Sequence, residues 1–316
     1  MTATTGTDPS SDGGGAPAGS SPRGQARGRR GRDRGPRYDA KELGLAALFL
    51  APSIAVFGAF FYHPFIRILG WGTYRSVRGG QSYTPVGMEQ YRDVLTGDDF
   101  SEGLWHSFLY VVFTVPLGLL LGTMLAVAAH RRLKGIKVFQ AIFSSTLASS
   151  VAVSSVIFLF LFNPAVGFFQ VQWLSDPTLA LPATAIPSIW QNLGLAFIIV
   201  LAGLQAIPDE VLEAATLDGY GPVRRLFRIT LPLISPILLF LLVVLVVFGF
   251  QAFAQIEILT AGGPAGATET LVFKIFSQAQ DLGRGSVLSV GLFFVTMIVV
   301  FTQFTLLERR VHYGDE

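Results

Sequence analysis

Six apolar stretches, each close to the ~20 residues a helix needs to cross a ~30 Å hydrocarbon core, constrain this chain more than any other feature. They run from about Leu43 to Tyr62, Phe108 to Ala129, Val138 to Phe162, Ala185 to Leu204, Leu233 to Phe250 and Val287 to Leu307. The runs are continuous rather than alternating, and an open sheet in lipid leaves backbone N–H and C=O groups unpaired, so each predicts a transmembrane helix. At 51% hydrophobic and 14% charged over 316 residues, the chain is too apolar for a water-facing domain. The expected fold class is an all-α membrane protein with six transmembrane helices, and residues 41–316 form its transmembrane domain.

Charge placement sets the expected orientation. Residues 1–40 are rich in Gly, Ser, Pro and Arg, with Arg23, Arg27, Arg29, Arg30, Arg32, Arg34 and Arg37. Such a segment buries too little apolar surface to offset its ordering entropy, which predicts a disordered basic tail. The apolar stretch after Lys41 lacks the cleavage site and the position of a signal peptide. Six spans put both termini on one side. That side collects the tail with Lys41, then Arg131, Arg132, Lys134, Lys137, Arg224, Arg225, Arg228, Arg309 and Arg310, which is 17 of the 23 Lys and Arg residues. Positive charge marks the cytoplasmic face, so both termini are expected there. The long outer loop, about 64–106, suits contact with a soluble partner or serves as a solvated connector.

Several chemistries lack their residues. Cys is absent. His63, His106, His130 and His312 show no metal-ligand spacing, and a membrane-embedded enzyme would cluster His, Asp or Ser near one depth. No Asp, Glu, Lys or Arg falls well inside the six expected spans, which argues against a proton-coupled carrier or a voltage sensor. No Gly-x-x-x-x-Gly-Lys-Ser/Thr phosphate loop occurs either, so this polypeptide does not cradle ATP. The consistent picture is a non-catalytic membrane subunit with no cofactor of its own, driven by a separate ATPase that carries ATP and Mg.

The inner loop, about 205–232, offers the attachment site. Pro208, Asp209 and Glu210 are helix-start chemistry, with carboxylates at the positive end of the helix dipole. Gly219 stands where a left-handed C-terminal residue is wanted, and Pro222 opens a second short helix through about Phe227. Val211, Leu212 and Ala215 share one side of the first helix, and Ala214 and Ala215 are small. Periodicity leaves two readings open: a helix that enters a partner's cleft, or one packed on its own bundle.

The run Glu213-Ala214-Ala215, three residues, Gly219, then nine residues to Ile229-Thr230-Leu231-Pro232 resembles the "EAA" loop of binding-protein-dependent ABC importer permeases. Gly87-Met88-Glu89-Gln90-Tyr91, Ile207-Pro208 and Leu259-Thr260-Ala261-Gly262-Gly263-Pro264 are similar to motifs of the carbohydrate-uptake branch. Within that branch the chain is most similar to the first permease subunit of glycerol-3-phosphate importers. The resemblance implies a type I importer permease fold in the bacterial inner membrane, paired with a second homologous permease. It further implies two ATPase subunits and an extracytoplasmic substrate-binding protein, with lipid around the spans and no nucleic acid. On this likeness Glu213, Ala214, Ala215, Asp218 and Gly219 form a coupling helix that docks into the ATPase, with Glu213 facing a basic residue there. Tyr220 departs from the Ala of many relatives. Gly262, Gly263 and Pro264 would face the binding protein.

A polar solute needs amides and aromatic faces along its path. The candidates are Trp190, Gln191 and Asn192 in the fourth span and Gln251, Phe253 and Gln255 at the outer end of the fifth. Each of them also fits an interfacial anchor or a helix–helix hydrogen bond. Ser144, Ser145, Ser149, Ser150, Ser154 and Ser155 spread around the third span at 100° per residue and read first as small packing residues, then as path lining. With no cation in the spans, selection of a phosphate would rest on the binding protein, the second permease or exposed backbone. The expected function is ATP-driven import of glycerol 3-phosphate, a glycerophosphodiester or a sugar by alternating access. A neutral di- or oligosaccharide permease and a passive polyol facilitator are the alternatives.

Overall fold

The computed structural model describes residues 40–77, 80–130, 135–165, 167 and 172–308. The basic tail and the expected inner-face cations Arg131, Arg132, Lys134, Arg309 and Arg310 lie outside them. The chain divides into two compact units, Met1–Ala55 and Val56–Glu316. The described residues of the first lie on helix α1 (Ala40–Phe57). Apart from one hairpin, the regular elements described are helical.

The frame of the second unit is α4 (Asp98–Ala129), α7 (Ala180–Gln205) and α11 (Ser235–Phe250). The 32 residues of α4 span about 48 Å at ~1.5 Å per residue, more than the hydrocarbon thickness, so its first turns stand clear of the core. Gly118, Gly122 and Ala126 recur every fourth residue on α4 and are all buried. Gly122 lies so close to Ala196 of α7 that a Cβ there has no room. This is the small-residue stripe that lets membrane helices approach closely. Val111, Val115, Phe197, Val200, Leu204, Leu241 and Leu245 fill the contact between the three helices.

Two of the six expected spans are broken. The third is α5 (Ile136–Ser144) with a short 3-10 turn, followed by α6 (Val151–Phe162) at 102° to it. Ser149 and Ser150 are extended, with ψ of 133° and 150°. The Ser150 hydroxyl caps α6 by accepting from Val153 N–H at 3.2 Å, and Gln191 of α7 donates to the Ser149 carbonyl at 2.8 Å. Groups freed at the break are thus paired inside protein, as the lipid interior demands. The serines therefore do not ring one helix: Ser154 and Ser155 are fully buried and bond back to the Val151 carbonyl, while Ser149 and Ser150 form the break.

The fifth span bends by 70° between Pro222–Leu233 and Ser235–Phe250. Pro232 and Pro236 each remove a helix donor on either side of Ile234, and Leu233 falls in the run before the bend. Among the described residues four helical runs are long and apolar enough to cross a membrane unbroken, and up to six if each bent pair is one span.

The first of these, Gly44–Trp71, continues through a wide π-type turn (Gly58–Tyr62) into α2 (His63–Trp71). It is longer than the apolar stretch and holds Arg67 one turn from its end, which moves the start of the following loop from about 64 to about 72. A hairpin of β1 (Tyr74–Val77) and β2 (Ser82–Pro85) comes next along the chain, and then α3 (Glu89–Leu95). One end of the bundle carries α8 (Asp209–Leu217), α9 (Pro222–Arg225), a π-type turn (Leu226–Thr230) and α10 (Leu231–Leu233). The other carries α12 (Ala254–Leu259), α13 (Leu271–Ser277) and the start of α14 (Leu282–Leu307).

Gly122→Leu should drive α4 from α7 and destabilise the bundle by about 1–3 kcal/mol through overpacking. Met124→Leu, at a position 60% exposed, should leave the unfolding temperature in detergent unchanged.

Candidate functional site

At one end of the bundle α8 and α9 form a stiff knuckle. Pro208 occupies the N-cap of α8 rather than its first turn, and Asp209 and Glu210 open the helix. Gly219 takes a φ of +77°, the left-handed geometry that Gly adopts without steric cost. The Tyr220 N–H then reaches the Ala215 carbonyl at 3.0 Å and the Gly219 N–H the Thr216 carbonyl at 3.1 Å, which together are a Schellman motif. Arg225 donates to the Thr216 hydroxyl at 3.0 Å. The Arg224 guanidinium sits 4.6 Å from the Tyr220 ring centre, a cation–π contact. Tyr220, the departure from the usual Ala, thereby helps to lock the turn.

Exposure on the knuckle differs from the expected pattern. Glu213, Ala214, Asp218 and Gly219 are exposed, but Ala215 is buried against its own chain. The stripe of Val211, Leu212 and Ala215 is therefore covered at Ala215 and only partly exposed at Val211, at 37%, and is not the main outward apolar face. Leu217 at 89%, Val223 at 70% and Phe227 at 64% exposure present that face instead. A signal existed for Leu217: its helical neighbours one turn back are Glu213 and Ala214, so no apolar stripe accounts for it. Asp209, Leu212, Glu213, Thr216, Leu217 and Arg225 line a groove of about 500 Å³ beside it.

A cavity of about 430 Å³ opens between α4, α7, α11 and α12. Gln191, Asn192, Gln251, Phe253 and Gln255 all line it, together with Tyr110, Thr114 and Ser188, which sequence reasoning passed over. Trp190 does not; its ring packs edge-on against Phe158 at 6.0 Å. The fully buried Tyr110 hydroxyl shares a 2.7 Å hydrogen bond with Ser188 and donates to the Thr184 carbonyl at 3.3 Å. Among the described residues that line the cavity, Tyr110 alone is an ionisable acid or base. Hydroxyls, amides and the Phe253 ring suit a hydroxylated solute and supply no formal charge to an anion. Among the described residues no group of three or more His, Asp or Glu side chains is placed to hold a metal ion.

At the opposite end the segment Thr260–Thr270 is a tight, ordered loop. Ala261, Gly262, Ala265 and Gly266 have φ of 47°, 84°, 49° and 79°, and the two alanines are strained there. Thr268 holds the loop, bonding to Thr260 and to the Gly263 carbonyl, both at 2.8 Å. Gly262 is buried under Phe273 and Glu269 with no space for a Cβ. Gly263 and Pro264 are half-buried, and Ala261 and Ala265 form the exposed rim.

Comparison with known proteins places this geometry. The family described as "Binding-protein-dependent transport system inner membrane component" matches residues 95–313. The sn-glycerol-3-phosphate transport system permease protein UgpA of Agrobacterium fabrum is 34% identical over 283 residues, covering 85% of this chain and 97% of that protein. Its namesake from Escherichia coli is 32% identical over 283 residues, at 85% and 96% coverage. A chain of the bacterial alginate ABC transporter, crystallised with its alginate pentasaccharide-bound periplasmic protein, superposes with a TM-score of 0.73 at 19% identity. That match covers 87% of this chain and 98% of the other. A chain of the MetNI methionine ABC transporter, in inward-facing form, gives 0.51 at 16% identity, covering 67% and 94%.

Gln191→Leu should strip the Ser149 carbonyl of its donor and cost about 1–3 kcal/mol, as for a buried group left unpaired. Asn192→Leu, on the same cavity wall, should leave the thermal unfolding of the detergent-solubilised protein near wild type.

Proposed function

The chain belongs to the inner-membrane components of binding-protein-dependent transport systems, and we propose that its α8–α9 knuckle is the point at which separate ATPase subunits drive it. It is a non-catalytic permease subunit of an ABC importer with the type I fold, and ATP is hydrolysed elsewhere in the assembly. The observation that carries the coupling role is the knuckle itself: locked by its Schellman turn, yet exposing Leu217, Val223 and Phe227 to water. An apolar tip on a small stiff helix suits a cleft in a partner. Glu213, Ala214, Asp218 and Gly219 surround that tip, and Ala215 supports it from within. Closure of two ATPase subunits would push the knuckle, and the bent fifth span would carry the push into this bundle and a second homologous permease.

The positive-inside rule favours a cytoplasmic location for the knuckle end. Lys137, Arg224, Arg225 and Arg228 stand there, and the tail and residues 309–310 add to the same side in sequence. The opposite end, with Gly262, Gly263 and Pro264, then meets the extracytoplasmic binding protein.

The relatives named for sn-glycerol 3-phosphate favour that solute or a glycerophosphodiester. Gln191, Asn192, Gln251, Phe253 and Gln255 would hold its hydroxyl-bearing part, with Trp190 behind the wall. The charge-free cavity favours a second reading, a neutral di- or oligosaccharide. The ATPase activity of the assembled complex separates them: with the cognate binding protein, stimulation by glycerol 3-phosphate or glycerophosphodiesters supports the first, and stimulation only by disaccharides supports the second.

Gly219→Pro imposes a φ of about −65° where +77° is needed. The variant should insert and assemble but lose uptake relative to ATP hydrolysed by about tenfold or more. Leu217→Asp should weaken retention of the ATPase during purification. Normal uptake in Gly219→Pro would count against the coupling role.

A further inference from the structure

A buried ammonium sits where the outer loop meets the bundle. The Lys274 side chain is only 6% exposed, and its Nζ lies 3.4 Å from Asp99, 3.2 Å from Glu102 and 3.7 Å from Glu269. Asp99 is held in turn by the Arg284 guanidinium and by Gln278 at 3.3 Å. One cation thus joins the first turns of α4, the end of the Thr260–Thr270 loop and α13, while Arg284 brings in α14. A charge so far out of water persists only with close partners. No transport step described above uses it.

The link to the loop runs through Glu269. Its side chain lies over Gly262, where an added Cβ would stand 3.0 Å from the Glu269 Cγ, and near Gly266, at 3.7 Å from the carboxylate. The Glu269 carbonyl oxygen also lies 3.2 Å from Nδ1 of His106 on α4. Ala261 and Ala265 are strained residues on the exposed rim of the same loop, and strain of this kind survives only where the surroundings hold it.

We infer that Lys274 is a positioning residue for substrate hand-over: by tying Glu269 to Asp99 and Glu102 it fixes the rim of the 260–268 loop in the shape that receives the binding protein. This rests on the reading that the loop faces that protein. Loss of the charge leaves the fold in place. Asp99 keeps Arg284, the Glu102 side chain is 63% exposed and stays hydrated, and the Leu271 N–H still bonds the Ser107 hydroxyl at 2.8 Å.

The test uses the full complex in proteoliposomes, with the cognate binding protein loaded with sn-glycerol 3-phosphate, or with maltose if only the disaccharide stimulates the wild type. Lys274→Met should raise the concentration of loaded binding protein at half-maximal ATPase stimulation by about tenfold, with basal activity within about twofold of wild type. Glu269→Gln should shift it in the same direction by about threefold. Ala265→Trp, which adds bulk to the rim at an unchanged φ, tests the underlying reading and should also raise it. Wild-type stimulation in Lys274→Met with impaired Ala265→Trp overturns the role of Lys274 alone. Wild-type stimulation in both overturns the loop reading and the inference with it. If Lys274→Met does not assemble, an unshifted Glu269→Gln overturns the inference. A fall in basal activity that accompanies every shift assigns Lys274 to general stability and overturns it too.

Discussion

The close approach of α4 to α7 is the constraint on which the remaining structure depends. Lipid tails are as apolar as leucine, so the bundle gains little from burying hydrocarbon and must gain from contact at short range. Gly118, Gly122 and Ala126 make that contact possible, and Ala196 meets Gly122 so closely that a single added carbon does not fit. Once the two helices are fixed, Tyr110 on α4 faces Ser188 on α7, and their 2.7 Å hydrogen bond forms one wall of the cavity. The first turns of α4 then reach the level of α13, where Asp99 and Glu102 meet Lys274.

A second demand, that no backbone group in the hydrocarbon go unpaired, explains where the helices break. The third span changes direction by 102°, and the carbonyl of Ser149 would be an orphan but for Gln191. Gln191 therefore belongs both to the cavity wall and to the scaffold. The fifth span bends at Ile234 between two prolines that have no N–H to leave unpaired. At the first break a neighbouring helix supplies the missing donor, and at the second Ile234 is fully buried.

Much of this was legible in the residues. Continuous apolar runs located the spans because a helix in lipid must be apolar along its whole length, and Gly219 announced its turn because few other residues tolerate a positive φ. The break at Ser149 and Ser150 was not legible. Serine is compatible with a helix, and only the partner Gln191, 42 positions away, makes the extended geometry affordable. Span ends were blurred for a related reason: α2 and α4 run past the hydrocarbon into polar turns, which hydropathy ignores. Five of the six candidate path residues converge on one cavity because amides in an apolar run have few other uses. Tyr110 and Ser188 were missed, since a hydroxyl that pairs with another hydroxyl leaves no pattern along the chain. Whether Ala215 faces a partner or its own bundle stayed open in the sequence, because periodicity gives a face but not which side of the helix the protein covers.

The cavity's lack of formal charge has an electrical consequence. An anion carried inward against an interior-negative voltage must climb about 2.3 kcal/mol per charge for each 100 mV, and a solute that crosses without a co-transported cation makes that climb in full. A neutral sugar crossing the same wall feels no such slope. The work demanded of each nucleotide would therefore vary with membrane voltage for a phosphorylated solute and be indifferent to it for an uncharged one.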